Sequence, residues 1–489
     1  MAQGGAVMTS NLPKSKLPLY VHSIDWDAHF QESPPPDVWY DTMFKWSRDE
    51  LRAYQNVHFM NRIREGWGNA FYRKRWTDAG LVPGDIRGLD DLDRIPTFNS
   101  EDVKLSQQEH PPFGEVVGIN AYEYAREHPL RIITSGGTTG VPRPSLFGSL
   151  DWELNGLYMA RCLYVMGVRP GDRVQIPATL SLLNYGWSVY QACHHYLGAI
   201  PITTGTGVVT PSRNQLETAF QFNTNVWTSF PEYLTQLAMV AKTELGRDVR
   251  ELKTKVIQTW LGPDIDGSLR AYIEELWGCP AYDGYGTHEA GGIGFEGPDK
   301  DGIYLQEDAG VFQFVDPDDF TPVRYGEPGN IIFTHLHRRI PLLIRYDLRD
   351  LVRVKTPSRS ALGSNMLRLD RFLGRSDQMV KLRGTNVWPM ACLGAVRSDD
   401  RTTGEWVCIA QRWRRGGVLR DEMIVKVECR NDGRPREGLR EILERRLHSD
   451  LHVAVEVLLV DEGQLPEANI GKEGKPRRLV DDRGTIQEG

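Results

Sequence analysis

Ser135 to Pro144 reads SGGTTGVPRP and follows directly on the β-prone run RIIT. Gly136, Gly137 and Gly140 let the backbone curl tightly and turn its N–H groups inward, and Ser135, Thr138 and Thr139 add hydroxyl donors. Donors that converge in this way make a cradle for phosphate oxygens, and their number suits a polyphosphate. No GK[ST] follows, so the stretch is not a Walker loop. Clusters of Ser, Gly and Thr are also ordinary loop composition, and the stretch alone leaves both readings open.

The surrounding elements decide how such a loop would be held. From about Arg131, β-rich and helical runs alternate as RIIT, WELNGLYMARCLYVMG, DRVQIPA, WSVYQACHHYLG and AIPIT, with Gly and Pro at the joins. That alternation predicts βαβ units and an α/β fold whose large domain has mostly parallel sheets flanked by helices. NVWTSF, KVIQTWLG, NIIFTHL and PLLIRYD are further strand candidates. Trp39 to Trp76 mixes aromatics with Arg and Asp at helical intervals, which predicts an amphipathic helical layer whose rings belong to the core. Near Gly374 the texture changes. WVCIAQRW, MIVKVECR and VAVEVLLV read as strands and GLREILERRLHSDL as a helix, a compact α+β unit of about 110 residues. The expected division is 1–373 and 374–489.

The chain has 489 residues, enough for two or three domains. With 40% hydrophobic and 25% charged residues, 48 Gly, 29 Pro and 13 Trp, it suits a loop-rich globular protein, and disorder and fibres are excluded. Against 65 Asp plus Glu stand 58 Lys plus Arg, a net charge of -7, so no global field collects a polyanion and nucleic acid is not an expected partner. Six scattered cysteines without CxxC pairs suit free thiols in a reducing compartment. The first twenty residues hold no apolar core behind a basic start. No later run approaches the about 18 apolar residues of a spanning helix, so a soluble, cytoplasmic protein without a membrane partner is expected.

SGGTTGVP resembles the phosphate loop of the adenylate-forming superfamily of acyl-CoA synthetases, and the whole chain most resembles phenylacetate-CoA ligases and their relatives. Four further motifs stand in that family's order. WLGPDID is similar to the Gly-Ala-Glu-Pro adenine-contact segment, with Gly262 matching its Gly, Asp264 its Glu and Pro263 between them. YDGYGTHEAGG resembles the Tyr-Gly-x-Ser/Thr-Glu motif. By that match Tyr285 offers a flat face to adenine, Gly286 permits close backbone approach with Thr287 beside it, and Glu289 offers a hard oxygen to Mg2+ on the ATP phosphates. His288 and Glu289 are not a metallopeptidase pair, since no second His stands four residues after the first.

IRYDLRDL supplies Asp350, matching the Asp whose carboxylate accepts hydrogen bonds from both ribose hydroxyls. GRSDQMVKLRGTNVWP is close to the family's GRSDDMLIIRGVNVFP, which implies a ribose contact for Arg375, an interdomain hinge at Asp377 and a coenzyme A channel at Gly384. GKEGKPRRLVDDR resembles the family tail and makes Lys475 the candidate catalytic lysine, bridging the attacking carboxylate and the α-phosphate. Lys472 competes, but RRLVDDR fits only if Gly474 and Lys475 are the motif pair. LSLLNYGWSVYQA aligns with the aryl pocket: Tyr185 and Trp187 suit a flat ring, with Gly186 and Gly205 leaving it room, and the same aromatics also suit sheet–helix packing.

Three departures matter. Val141 stands where the family has Lys, and Arg143 two residues on can restore the charge. His288 replaces Ser or Thr and can still donate to the α-phosphate or substrate carboxylate, or it reports a different acyl acceptor or substrate. Gln378 replaces the second Asp after the hinge arginine. Gly291 to Tyr304 contains no Cys, so no structural zinc is expected, and Cys193, His194 and His195 point to different faces of a helical run.

The resemblance implies ATP-dependent activation of an aryl or arylacetic acid to an acyl-adenylate and transfer to coenzyme A, with Mg2+; the partners are small molecules, and a homodimer is compatible with it. An alternative within the same chemistry passes the adenylate to an amine, a carrier protein or another nucleophile. A non-catalytic nucleotide sensor is the reading from another class, and it has no need of Lys475 beside Glu289, Asp350 and Arg375.

Overall fold

The computed structural model describes residues 15–135, 143–262, 264, 267–376, 380–382, 385–415, 418–451, 453–465 and 478–488. The RIIT run becomes β1 (Leu130–Ser135), paired antiparallel with β2 (Arg143–Gly148) from Leu130 opposite Gly148 to Ser135 opposite Arg143. The phosphate-loop residues Gly136, Gly137, Thr138, Thr139 and Gly140 lie outside the described residues.

Five strands then alternate with helices: β3 (Arg173–Gln175), β4 (Ile200–Ile202), β5 (Val226–Thr228), β6 (Val256–Thr259) and β7 (Ala281–Thr287). The helices Tyr185–Gln191, Ser212–Phe222, Pro231–Glu244 and Ser268–Trp277 fill the gaps. Such long returns permit parallel pairing, and the order is β4-β3-β5-β6-β7.

After β7 the helices stop. β8 (Gly291–Glu296), β9 (Ile303–Leu305), β10 (Gly310–Val315), β11 (Pro328–His335), β12 (Tyr346–Val354) and β13 (Arg368–Arg375) follow through helix-free connections and pair antiparallel. The result is one eleven-stranded mixed sheet, β10-β11-β12-β13-β9-β8-β7-β6-β5-β3-β4. The α/β class stands as read, with the parallel pattern confined to the β4–β7 side. PLLIRYD is a strand only from Tyr346. Upstream, the Leu343 carbonyl accepts from His335 N at 2.8 Å, Ile344 N donates to the Tyr72 hydroxyl at 3.2 Å, and Arg345 has φ 55°. Those partners are tertiary and leave no free ladder for a strand.

The aromatic stretch forms helices Pro36–Asp41, Arg48–Gly68 and Ala70–Asp78, the second started by a Ser47–Glu50 capping box. They bury Trp39, Phe59 and Trp76; Phe59 and Trp76 share a core with Phe333, Ile344 and Leu369. Toward the end, β14 (Val380–Leu382) and β15 (Thr385–Val387) form a hairpin. β16 (Thr402–Arg415), β17 (Val418–Cys429), β18 (Glu456–Asp461) and β19 (Leu479–Glu488) build a sheet in the order β18-β17-β16-β19. The helix Leu439–Leu451 packs Leu443 and Leu447 against Trp406 and Val457 there. β19 was not legible in the polar tail: it is held parallel to β16 after Arg478, whose guanidinium stacks 3.9 Å over Trp406 and donates to Glu405 at 2.8 Å. Among the described residues no helix is long and apolar enough to cross a membrane.

Candidate active site

The carboxyl ends of β5, β6 and β7 lead into Phe230, the Trp260–Gly262 segment and Tyr285–Thr287, the edge of a parallel sheet where ligands characteristically bind. β7 turns tightly into β8. Thr287 Oγ1 accepts from Ala290 N at 3.0 Å, and a Cβ on Gly286 would lie 2.5 Å from the Gly291 carbonyl oxygen, so that position tolerates no side chain.

This turn presents His288 and Glu289 to β2. Alternate residues of a strand share a face, and Arg143 and Ser145 use that face to meet the two consecutive turn residues. Arg143 forms an ion pair with Glu289, and His288 Nε2 lies 3.1 Å from Ser145 Oγ. The Tyr346 hydroxyl donates to Glu289 Oε1 at 3.1 Å. Arg338 donates to the Glu289 carbonyl at 2.5 Å and to the Leu146 carbonyl at 3.3 Å, tying the turn to β2.

Burial works to raise the Glu289 carboxyl, but Arg143, His288 and the Tyr346 hydroxyl outweigh it and hold the group below the ordinary carboxylate range. Burial pushes the His288 imidazole down to about 4; Glu289 opposes this and Arg143 and Arg338 reinforce it, so the ring is neutral near pH 7. A neutral ring has one nitrogen to donate and one to accept.

A second convergence lies on β7, β12 and β13. The buried Tyr285 hydroxyl donates to Asp350 Oδ2 at 2.8 Å, and Arg375 reaches Asp350 Oδ1 at 3.4 Å. Asp350 and Arg375 are register partners on adjacent strands. Burial, with the Asp350 charge, pushes the Tyr285 phenol well above its usual value, so it stays a donor. Three residues separated by up to 90 positions thus meet around one carboxylate.

The Leu261–Gly262 segment is braced from below. Asp283 Oδ1 accepts from Leu261 N at 2.9 Å, and Asp283 N donates to Glu296, which pairs with Arg270 at 2.8 Å. Gly262 has φ +65°, a region that favours glycine. Asp264 commits its carboxylate to the amides of Leu269 and Arg270, at 3.0 and 3.1 Å, and so caps the helix Ser268–Trp277.

The aryl-pocket residues are split. Tyr185 sits edge-on to Trp260 with ring centroids 4.2 Å apart, and Phe230 lies 5.1 Å from Trp260. Trp187, about 200° round the helix from Tyr185, faces away: Arg131 lies between its ring and that of Trp152, at 4.4 and 4.2 Å. Gly186 leaves no room for a ring, because a Cβ there would meet the Thr179 carbonyl oxygen at 2.8 Å. Gly205 is held through its carbonyl by Gln215 Nε2 at 3.0 Å. Phe230 and Trp260 are the aromatic neighbours of Tyr185 that sequence reasoning did not single out, although both stand at strand ends it had marked.

Pro263, Asp377, Gly384 and Lys475 lie outside the described residues. For Ser135 only the backbone is described, and Arg375 enters the site as above.

A protein-family model described as AMP-binding enzyme C-terminal domain matches residues 384–483. The chain is 28% identical over 449 residues to a phenylacetate-coenzyme A ligase of Escherichia coli K12, covering 90% of this chain and 97% of that protein. The Thermus thermophilus phenylacetate-coenzyme A ligase is 27% identical, over 89% and 97%. The solved 2-hydroxyisobutyryl-CoA ligase in its postadenylation state, in complex with 2-HIB-AMP, superposes with a TM-score of 0.77 at 25% identity, over 90% and 91% of the chains. The chain is thus similar, over nine-tenths of its length, to phenylacetate-coenzyme A ligases and to a solved acyl-CoA ligase. The same ligase in its thioesterification state, with 2-HIB-AMP and CoA, gives a TM-score of 0.65 at 26% identity over the same shares. For an adenylate-forming enzyme the convergences at Asp350 and Glu289 fall on the two motifs that the sequence had marked for ribose and metal.

Proposed function

We propose that this chain is an AMP-forming acid–CoA ligase that activates an aryl or arylacetic acid with ATP and transfers the acyl group to coenzyme A, releasing AMP and pyrophosphate. The observation that carries this is the Tyr285–Asp350–Arg375 convergence beside Glu289, next to the strand pair that brackets SGGTTGVP. The phenylacetate-coenzyme A ligases it resembles over nearly their whole length support the acid class.

ATP lies with its phosphates on Ser135 to Gly140, its adenine between the Gly262–Asp264 segment and Tyr285–Thr287, and its ribose on Asp350 and Arg375. Asp350 already accepts two hydrogen bonds, so it arrives oriented, and its bidentate geometry suits a vicinal diol. Mg2+ enters on the nucleotide as part of the substrate. The residues fit it: Glu289 is ionised, and among the described residues Oε1 takes Arg143 and Tyr346 while no hydrogen bond reaches Oε2.

The substrate carboxylate attacks the α-phosphorus, the bond to pyrophosphate breaks, and Lys475 offsets the charge that develops. His288, neutral, donates from its ring to the α-phosphate or the substrate carboxylate when its proton sits on the nitrogen facing them. Tyr185, Phe230 and Trp260 form the apolar wall for the acyl group. The second step needs a different geometry. We place a division between 1–373 and 374–489 with Asp377 as the hinge, so that Lys475 withdraws and Gly384 lines the thiol channel. The separate apolar core of the C-terminal sheet supports this, as do the two TM-scores from one ligase in two states. Six free, buried cysteines suit a reducing cytoplasm.

The test is AMP and pyrophosphate release from phenylacetate, benzoate and short-chain acids with ATP and Mg2+, with and without coenzyme A, alongside hydroxylamine trapping of the adenylate. Hydroxamate from an aromatic acid and CoA-dependent thioester are expected. Product formed without coenzyme A would transfer the reading to another acceptor, and no pyrophosphate release with any acid would end it.

A further inference from the structure

Arg143 is the first residue after the phosphate loop and Glu289 lies in the turn that follows β7, 146 positions later. Their side chains are 11% and 17% exposed and form an ion pair. We propose that this pair is the resting state of the phosphate site: Arg143 leaves Glu289 for the polyphosphate of the incoming nucleotide as Glu289 takes the Mg2+ that the nucleotide carries. The inference rests on the reading under Proposed function and adds a residue and an order of events to it.

The surroundings make the exchange coupled. Among the described residues Arg143 is the one cationic side chain in contact with the Glu289 carboxylate; Arg338 engages the backbone carbonyl of Glu289 instead. Val116, Val117, Leu146 and Leu343 line the cleft beside the pair, so neither charge is well solvated once its partner departs. Removing one partner from such a pair leaves an uncompensated charge, which costs far more than the pair itself gains. Mg2+ alone would take Glu289 and strand Arg143. ATP without Mg2+ would take Arg143 and leave a bare carboxylate facing phosphate. Only the two together satisfy both groups. Arg143 is placed for this by the strand alternation that puts it and Ser145 on one face, and the guanidinium fork suits either a carboxylate or a phosphate.

The experiment is calorimetric nucleotide binding to the full chain without acid or coenzyme A, so that no turnover enters. The probes are ATP with EDTA, ATP with Mg2+, and Mg2+ alone. Wild type is expected to bind MgATP at least about tenfold tighter than metal-free ATP, with Mg2+ alone weak. Glu289→Gln releases Arg143, so metal-free ATP should bind about threefold or more tighter than in wild type while the advantage of Mg2+ disappears. Arg143→Met should weaken MgATP about tenfold, and Arg143→Lys should recover part of that loss. Opposite shifts for metal-free ATP in Glu289→Gln and Arg143→Met are the signature that a merely structural pair would not produce. The inference is overturned if Glu289→Gln weakens metal-free ATP, a result that does not depend on how Arg143→Met folds, or if Arg143→Met binds MgATP as wild type does. Wild type that binds ATP under no condition would instead overturn the nucleotide reading itself.

Discussion

The Tyr285 hydroxyl donates to Asp350 Oδ2 at 2.8 Å, and the carboxylate's other oxygen faces Arg375 at 3.4 Å. Asp350 is therefore held from two sides before any nucleotide arrives, which removes an ordering cost from binding. Tyr285→Phe deletes one donor and keeps the ring. A buried acceptor left without its donor costs about 1–3 kcal/mol, so urea denaturation should show a loss of that size, and the KM for ATP should rise several-fold with kcat changed less. Equal stability and equal KM would show that the hydroxyl does not orient Asp350.

Tyr185 and Trp187 make a paired test of the acyl wall. Tyr185 joins Trp260 and Phe230, whereas Trp187 joins Arg131 and Trp152 on the other side of the helix. Tyr185→Ala should raise the KM for an aromatic acid about tenfold or more, in keeping with loss of a large ring contact, with the KM for ATP little changed. Trp187→Ala should cost stability and leave the acid KM within about twofold. The reverse ranking in steady-state assays across an acid panel would relocate the pocket.

Lys475 is needed for one half-reaction only. Lys475→Ala should lower adenylate formation by about two to three orders of magnitude, measured as ATP–pyrophosphate exchange, because a cation aimed at developing charge is removed. Thioester formation from a supplied acyl-adenylate and coenzyme A should proceed within a few-fold of wild type. Equal loss in both would refute the division of labour about Asp377.

Residues adjacent in sequence were the legible part of this site. Tyr285, Gly286, His288 and Glu289 sit in one run, and Asp350 and Arg375 in two others, so their types and spacing could be read without a fold. Their partners could not. Ser145, Tyr346 and Arg338 reach the β7–β8 turn from far along the chain, and only the packing of β2 and the β11–β12 connection against it shows why they matter. Gly186 illustrates the opposite error: glycine can mean room for a ligand or a neighbour already there, and the Thr179 carbonyl fills the space. The parallel strands were visible because helices separate them; the antiparallel half is longer than expected because β8 to β13 carry no helix between them. PLLIRYD failed as a strand before Tyr346 since composition cannot tell that the Leu343 carbonyl accepts from His335 and the Ile344 amide donates to Tyr72 in three dimensions.

Acid should weaken the fold above the range where surface carboxylates titrate. Burial holds His29 down to about 4 and His337 down to about 3, and drives His335 in the same direction. Each has a depressed folded value, so its contribution is complete above the unfolded pKa of about 6.5 and is lost as pH falls toward the folded one. Asp283 has the opposite sign. Burial raises it to about 7, despite the Leu261 amide, so its contribution is full below about 4 and is lost as pH rises through 7. Between pH 5 and 7.5 these histidines, joined by His288 and His58, which are depressed in the same way, oppose the raised carboxyls of Asp283 and Asp151, and wild type should be less stable at pH 5 than at pH 7.5. His337→Asn should flatten that slope and Asp283→Asn should steepen it, whatever either does to absolute stability. Urea denaturation at pH 5, 6 and 7.5 reads all three slopes, and a flat wild-type profile or a shallower one in Asp283→Asn would contradict the assignment.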